Sequence, residues 1–89
     1  MKIKVFSIRD RAIDTFAQPF YAASVGHAVR SFTDAVNRQD KDSNLFLHPD
    51  DFDLYLLGEF NDEYGSFSFR EEGPEMVAVG KNCKVAVKE

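Results

Sequence analysis

HPDDFDLYLLGEFNDEYG, residues His48–Gly65, carries the clearest strand pattern in the chain, followed by a turn. Apolar and polar side chains alternate through its middle, which predicts a β-strand over residues 53–61 with one face toward a core. The core face is expected to hold Phe52, Leu54, Leu56, Gly58 and Phe60, and the opposite face Asp53, Tyr55, Leu57, Glu59 and Asn61. The loop that follows predicts a hairpin in which Gly65 takes a positive φ. A returning strand over residues 66–70 then places Phe67 and Phe69 inward.

The start of this stretch raises the alternative of a metal or acid–base site, because His48 stands close to three aspartates. A calcium loop needs regularly spaced oxygen ligands and a glycine at the turn, which HPDDFD lacks. Asp51 and Asp53 are expected to face solvent at the strand entrance rather than to converge on a pocket. A structural role is favoured, in which the His–Pro pair sets an extended approach, Asp50 and Asp51 bond to nearby amides, and the strand begins at Phe52.

No other part of the sequence carries a pattern typical of a catalytic, metal-binding or cofactor-binding site. There is no Ser–His–Asp arrangement and no GxxxxGK[ST] phosphate loop, so we expect no enzymatic activity, no metal and no cofactor. Cys83 is the single cysteine, which excludes an internal disulfide and fits a reducing compartment. No apolar run approaches the roughly 20 residues that a membrane span requires, so we expect no membrane contact.

The rest of the chain predicts one helix and further strands. Ser24 suits the N-cap of a helix ending at Asn37, whose apolar residues recur at helical spacing. The other predicted elements are a strand over residues 2–8, a helical turn from Asp10 to Thr15, a polar loop over residues 38–51, and strands over residues 76–79 and 83–87. This order predicts a single α+β domain over residues 1–89, a mostly antiparallel sheet of three to five strands with one long helix packed on one face.

Charge is distributed unevenly along the 89 residues, although the net charge is only −4. Residues 1–41 carry seven basic and four acidic side chains, whereas residues 42–79 carry ten acidic side chains and one arginine. Strong, unspecific coating of DNA draws its energy from neutralising phosphates, so the overall negative charge disfavours it. A local phosphate-binding patch in the N-terminal part stays possible, as does contact between basic and acidic surfaces of two subunits.

Several phrases in the sequence occur together in one known family. They are KVFSIRDRA (residues 4–12), Pro19–Phe20, SVGHAVRSFTDAVN (residues 24–37) and the opening stretch. In this order and spacing, over about residues 2–65, the chain resembles the small nonstructural protein of the gokushoviruses, single-stranded DNA phages of the Microviridae. The resemblance implies a phage accessory protein of the host bacterial cytoplasm that binds single-stranded DNA and acts in viral genome synthesis or packaging. It brings no catalytic motif with it.

Single-stranded DNA binding needs cations for the backbone and flat side chains for the bases. Basic and aromatic residues interleave only in the N-terminal part of the chain, and the candidate nucleic-acid-binding residues are Lys2, Lys4, Arg9, Arg11, Phe20, Tyr21, Arg30 and Arg38. This hypothesis requires folding to gather the cations on one exposed area. It predicts binding that weakens steeply with salt and that falls on alanine substitution of Arg9, Arg11 or Arg30.

The alternative hypothesis is a protein–protein adaptor for a capsid precursor or a replication initiator, with no direct DNA contact. It rests on the acidic span over residues 42–79 and on the outward positions expected for Tyr55, Leu57 and Tyr64, since exposed aromatic residues are favoured at interfaces. Both hypotheses fit a homo-oligomer, because the edge strands of a small sheet need to be covered, charged or paired.

Overall fold

A computed structural model describes residues 1–85 of the chain. Over this range the chain forms six strands, three helices and one 3-10 turn. In chain order these are β1 (Lys2–Asp10), β2 (Thr15–Phe16), β3 (Phe20–Ala22), α1 (Val25–Asn37), α2 (Asn44–Leu47), the 3-10 turn (Pro49–Asp51), β4 (Phe52–Asn61), β5 (Ser66–Phe69), β6 (Glu75–Val79) and α3 (Gly80–Cys83).

The two longest strands, β1 and β4, form the centre of one antiparallel sheet. Their register runs from Lys2 opposite Asn61 to Asp10 opposite Phe52. Each outer edge is divided between two short strands: β2 and β3 pair with β1, whereas β5 and β6 pair with β4. The sheet is therefore a long central ribbon with an interrupted strand along each side.

Helix α1 covers one face of this ribbon, here called the helix face. The hydroxyl of Ser24 accepts a hydrogen bond from the backbone N–H of His27 at 3.1 Å, which confirms the predicted N-cap. Six residues form the buried core between α1 and the sheet: Phe6, Ala28, Phe32, Val36, Phe52 and Leu54. Burying one large apolar side chain contributes about 1.5–3 kcal/mol, so this small core accounts for much of the stabilisation.

A β-bulge in β4 reverses the alternation of side chains between the two faces of the sheet, so the parts of the strand before and after it place even-numbered residues on different faces. Phe6 lies opposite Leu56, yet the preceding Val5 lies opposite Gly58, so Leu57 is the additional residue. Side chains alternate between faces along a strand, and one additional residue moves all later side chains to the other face. Leu56 therefore faces α1, whereas Gly58 and every second residue after it face away.

The predicted architecture, three to five strands with one long helix, is wrong. Over residues 1–85 the sheet has six strands, and two helices of four residues accompany the 13-residue α1. The predicted helical turn after β1 is instead a hairpin. Asp10 accepts a bond from the N–H of Ala12 at 2.9 Å, Asp14 takes a φ of 55°, and β2 follows. Local bonding by aspartate side chains competes with helix formation, which is the physical reason for the difference.

The polar loop predicted over residues 38–51 contains α2 and the 3-10 turn, and the strand predicted over residues 83–87 is replaced at its start by α3. Gly80 permits α3 to pack against the 3-10 turn, since a Cβ there would lie 2.2 Å from the carbonyl oxygen of Pro49. The part of the strand prediction beyond residue 85 lies outside the described residues. Within the described part of the chain, no helix has the length and apolar character needed to cross a membrane.

Candidate functional site

The face of the sheet directed away from α1, here called the outer face, carries a row of neighbouring aromatic rings. Tyr21 lies 6.0 Å from Phe60, Phe60 lies 4.9 Å from Phe67, and Phe67 lies 5.8 Å from Phe69, each measured between ring centroids. The last two rings are nearly parallel, with an interplanar angle of 3°. We call these four residues the aromatic row. Its residues come from β3, β4 and β5, and the row passes over β1, which lies between β3 and β4.

The aromatic row is accessible to a partner. The exposed fraction is 54% for Tyr21, 49% for Phe67 and 66% for Phe69, and Phe60 is half-buried beneath them. Large aromatic side chains usually contribute to a core, and a contiguous exposed group of them marks an interaction surface. The row is therefore the strongest candidate for a binding site among the described residues.

A second aromatic pair lies farther along the outer face. Phe16 of β2 packs edge-on against Tyr55 of β4, with ring centroids 5.3 Å apart. The guanidinium of Arg9 lies 6.0 Å from the centre of the Phe16 ring and also pairs with Asp14. This end of the face thus combines a cation with flat apolar side chains.

Asp53 is buried on the outer face beneath these groups, contrary to the predicted solvent-facing position. Its side chain is 3% exposed, and its Oδ2 lies 3.0 Å from the Nε of Arg11, whose side chain is 47% exposed. The Oδ1 atom is buried without a hydrogen-bond partner. Arg11 also donates to the backbone carbonyl of Asp50, and its backbone N–H donates to the carbonyl of Asp51. The pair therefore fastens the β1–β2 turn to the start of β4.

The predicted side-chain bonds from Asp50 and Asp51 to nearby amides are not formed within residues 1–85; instead the backbone carbonyls of these residues accept hydrogen bonds from Arg11. The predicted strand start at Phe52 is confirmed. Over residues 1–85, no group of three or more histidine, cysteine or acidic side chains is placed to hold a metal ion.

The candidate DNA-binding residues do not share one face. Lys2 and Lys4 occupy alternate positions of β1 from Arg9, so they lie on the helix side of the sheet while Arg9 lies on the outer face. Lys4 pairs with Glu59 at 3.8 Å. The remaining cations are exposed on or just after α1, at Arg30 and Arg38.

The two aromatic candidates also separate, although they are adjacent in sequence. Phe20 is half-buried and stacks on Phe6 in the core, with centroids 5.8 Å apart. Tyr21 points the other way and belongs to the aromatic row. Of the eight candidates, the outer face therefore brings together Arg9, Arg11 and Tyr21, and both of these arginines are already paired with carboxylates.

Residues 3–83 match the protein family described as Phage ORF5 protein. The chain belongs to this family. No curated protein and no solved structure matches it. Family membership assigns the chain to phages, and the match extends beyond the phrases in residues 2–65 to cover β5, β6 and α3.

The sequence prediction placed three of the aromatic residues that this ORF5-family protein presents on its outer face, Phe60, Phe67 and Phe69, on the core side instead. Tyr55 was expected on the face opposite the core, and it lies there. Phe67 and Phe69 were predicted to face inward because β4 was taken as regular, so that its partner strand inherited the wrong facing. The SFSF alternation of β5 shows that the two phenylalanines share a face, but it carries no signal for which face of the sheet that is.

Proposed function

We propose that this phage protein is an accessory protein that binds single-stranded DNA on the outer face of its sheet. The observation that supports the proposal is the aromatic row, in which flat rings lie side by side at the surface of one sheet. Every nucleobase has a flat face, so such a row binds unpaired bases with little dependence on sequence. Bases within a duplex are already stacked on one another, so they gain no stacking energy from the aromatic row.

The charges of the molecule favour stacking over phosphate contacts as the main source of affinity. On the outer face Arg9 lies 6.0 Å from the centre of the Phe16 ring, and Arg70 directly follows Phe69 in the chain; each of these two arginines is paired with a carboxylate. The slope of affinity against salt is about −0.7 per neutralised phosphate for single strands. With one or two phosphate contacts, the logarithm of the binding constant falls by no more than about 1.4 per tenfold increase in salt. This dependence is shallower than the sequence alone predicted.

The place of this activity in the virus is the one that the gokushovirus resemblance implies. We propose that the protein acts in the host cytoplasm during synthesis or packaging of a single-stranded genome, when unpaired bases are abundant. Binding by stacking depends little on base sequence, which suits a protein that must act along a whole genome.

The test measures fluorescence anisotropy with a single-stranded oligonucleotide, the matching duplex, and an abasic strand of the same length. Wild-type protein is expected to bind the first and to bind the other two weakly. Phe67→Ala and Phe69→Ala should each weaken binding by roughly 5- to 150-fold, because a base–aromatic stack contributes about 1–3 kcal/mol. Tyr64→Ala is the matched control, since Tyr64 is 80% exposed but lies in the β4–β5 loop, outside the aromatic row.

Two results would reject the proposal. One is equal binding of the abasic and the normal strand, which would show that contacts with the phosphates alone account for the affinity. The other is loss of binding in Tyr64→Ala to the same extent as in the Phe67 and Phe69 variants. Circular dichroism of each variant separates loss of binding from loss of structure.

The second candidate function is the protein–protein adaptor, which is favoured by the exposed Tyr64 beside Asp62 and Glu63 at the tip of the β4–β5 loop. A basic or apolar partner surface would fit this tip. Wild-type protein that binds none of the three oligonucleotides at low salt, yet is recovered with a capsid precursor or replication initiator, would favour the adaptor.

A further inference from the structure

Strand β5 forms an unusual edge of the sheet. Its sequence, SFSF, contains neither a charge nor a proline, and all four residues are exposed. Over residues 1–85 its only partner is β4. Of the other edge strands, β2 has only two residues, β3 follows Pro19, and β6 contains a charged residue, Glu75. Proteins usually protect an edge by such devices because an open edge recruits another strand.

The backbone of β5 directs two residues toward this open edge. The N–H of Arg70 donates to the carbonyl of Leu57 at 3.4 Å, and the N–H of Gly65 donates to the carbonyl of Asn61 at 2.8 Å. Backbone groups in an antiparallel ladder alternate between the two sides of a strand. The serines therefore bond to β4, whereas Phe67 and Phe69 direct their N–H and C=O groups outward.

We propose that β5 pairs antiparallel with β5 of a second copy of this chain, around a two-fold axis at Ser68. This register places Phe67 opposite Phe69 of the second copy, and Phe69 opposite Phe67 of the second copy. The outward backbone groups of these residues then form four hydrogen bonds, and two aromatic cross-strand pairs form on the outer face. The self-complementary sequence is what commits the edge to a second copy, since a two-fold interface requires one patch to match itself.

The number of aromatic pairs favours this register over its neighbour. An axis at Phe67 would place Phe67 opposite itself and Ser66 opposite Ser68, so only one aromatic cross-strand pair would form. The axis at Ser68 forms two such pairs and places Ser66 opposite Arg70 of the second copy. A single short strand contributes a small interface, so the dimer is expected to be weak and to depend on protein concentration. The pairing stands whether or not the outer face binds DNA.

The experiment introduces one cysteine at a time into a Cys83→Ser background. In the proposed register, residue 68 lies directly opposite residue 68 of the second copy. The two residues form a non-hydrogen-bonded pair with Cα atoms about 4.5 Å apart, which is within disulfide range. Ser66→Cys is the matched control, because Ser66 lies on the same strand and the same face. Its counterpart in the second copy lies four positions away, at about 13 Å, which is beyond disulfide range.

Equilibration in a glutathione buffer and a non-reducing gel measure the disulfide-linked dimer. Ser68→Cys is expected to form at least about tenfold more dimer than Ser66→Cys, because association raises the effective concentration of its thiols. Wild-type protein should show concentration-dependent dimerisation in sedimentation velocity, which also covers the case of a cysteine variant that does not fold. Equal dimer fractions in the two variants, or a wild-type monomer at every concentration, would overturn the proposal and leave the edge for a different strand.

Discussion

Removing the guanidinium of Arg11 tests how the β1–β2 turn is held to the sheet. In the Arg11→Met variant, Asp53 keeps a buried carboxylate, 3% exposed, without its ion partner. Losing one partner of a fully buried pair costs about 3–5 kcal/mol. Because 47% of the Arg11 side chain is exposed, water partly replaces it, and we expect a loss of about 2 kcal/mol in the free energy of unfolding. Urea unfolding followed by circular dichroism measures this loss directly.

Two further variants define the cause of the loss. Arg9→Met is the matched control, because Arg9 pairs on the same face with Asp14, which is 78% exposed, and such a pair contributes less than about 1 kcal/mol. In Arg11→Met with Asp53→Leu, the buried carboxylate is removed together with its unbonded Oδ1, so most of the stability should return. The reasoning is refuted if Arg11→Met costs no more than Arg9→Met, or if the double variant is as unstable as the single one.

Three other substitutions test particular contacts. Gly58→Ala should destabilise the sheet by about 1–3 kcal/mol or more, because a Cβ there would lie 2.2 Å from the backbone oxygen of Ser68. Gly26→Ala should instead raise the thermal midpoint, because the added Cβ would lie 4.0 Å from the nearest atom, the Ser24 hydroxyl oxygen, and alanine favours a helix by about 1 kcal/mol. Equal effects of the two glycine substitutions would refute the steric argument. Lys84→Met should cost about 1–2 kcal/mol in urea unfolding, because the ammonium donates to two helix carbonyls and lies 3.7 Å from the Phe46 ring centre. A Lys84→Met variant as stable as the wild type would show that these contacts contribute no net free energy compared with hydration of the ammonium.

Elements with local signals were predictable from the sequence, and so was the core face of β4 from Phe52 to Leu56, whereas the face taken by residues after the bulge was not. Ser24 predicted the start of α1, and Gly65 predicted the positive φ of the β4–β5 loop, which is 67°. Both depend on residues close in sequence. The bulge at Leu57 depends on how β4 meets β1, and no residue type in YLLGEF requires it. As a result, the prediction placed Phe60 and its neighbours in β5 on the wrong side of the sheet.

The candidate site was predictable only in part for the same reason. Tyr21 was identified because aromatic and basic residues interleave near it, but the rings that complete the aromatic row come from β4 and β5. Asp53 appeared exposed because an aspartate at a strand entrance is usually solvated. Its burial follows from Arg11, which is 42 positions away in the sequence and was assigned to a DNA contact. Contacts between residues so distant leave no periodic pattern in a single sequence.

The pairing of β1 with β4 has a consequence for how the chain reaches its native state. Residues 11–51 separate these strands, so the central ladder cannot form as a simple hairpin. A loop of this length must close, at a cost in chain entropy, before the longest ladder of the sheet returns any stabilising energy. Proteins dominated by such distant contacts fold on the millisecond-to-second timescale rather than in microseconds. Early in folding, we therefore expect the β4–β5 hairpin and α1 to be populated separately, with β1 pairing with β4 last.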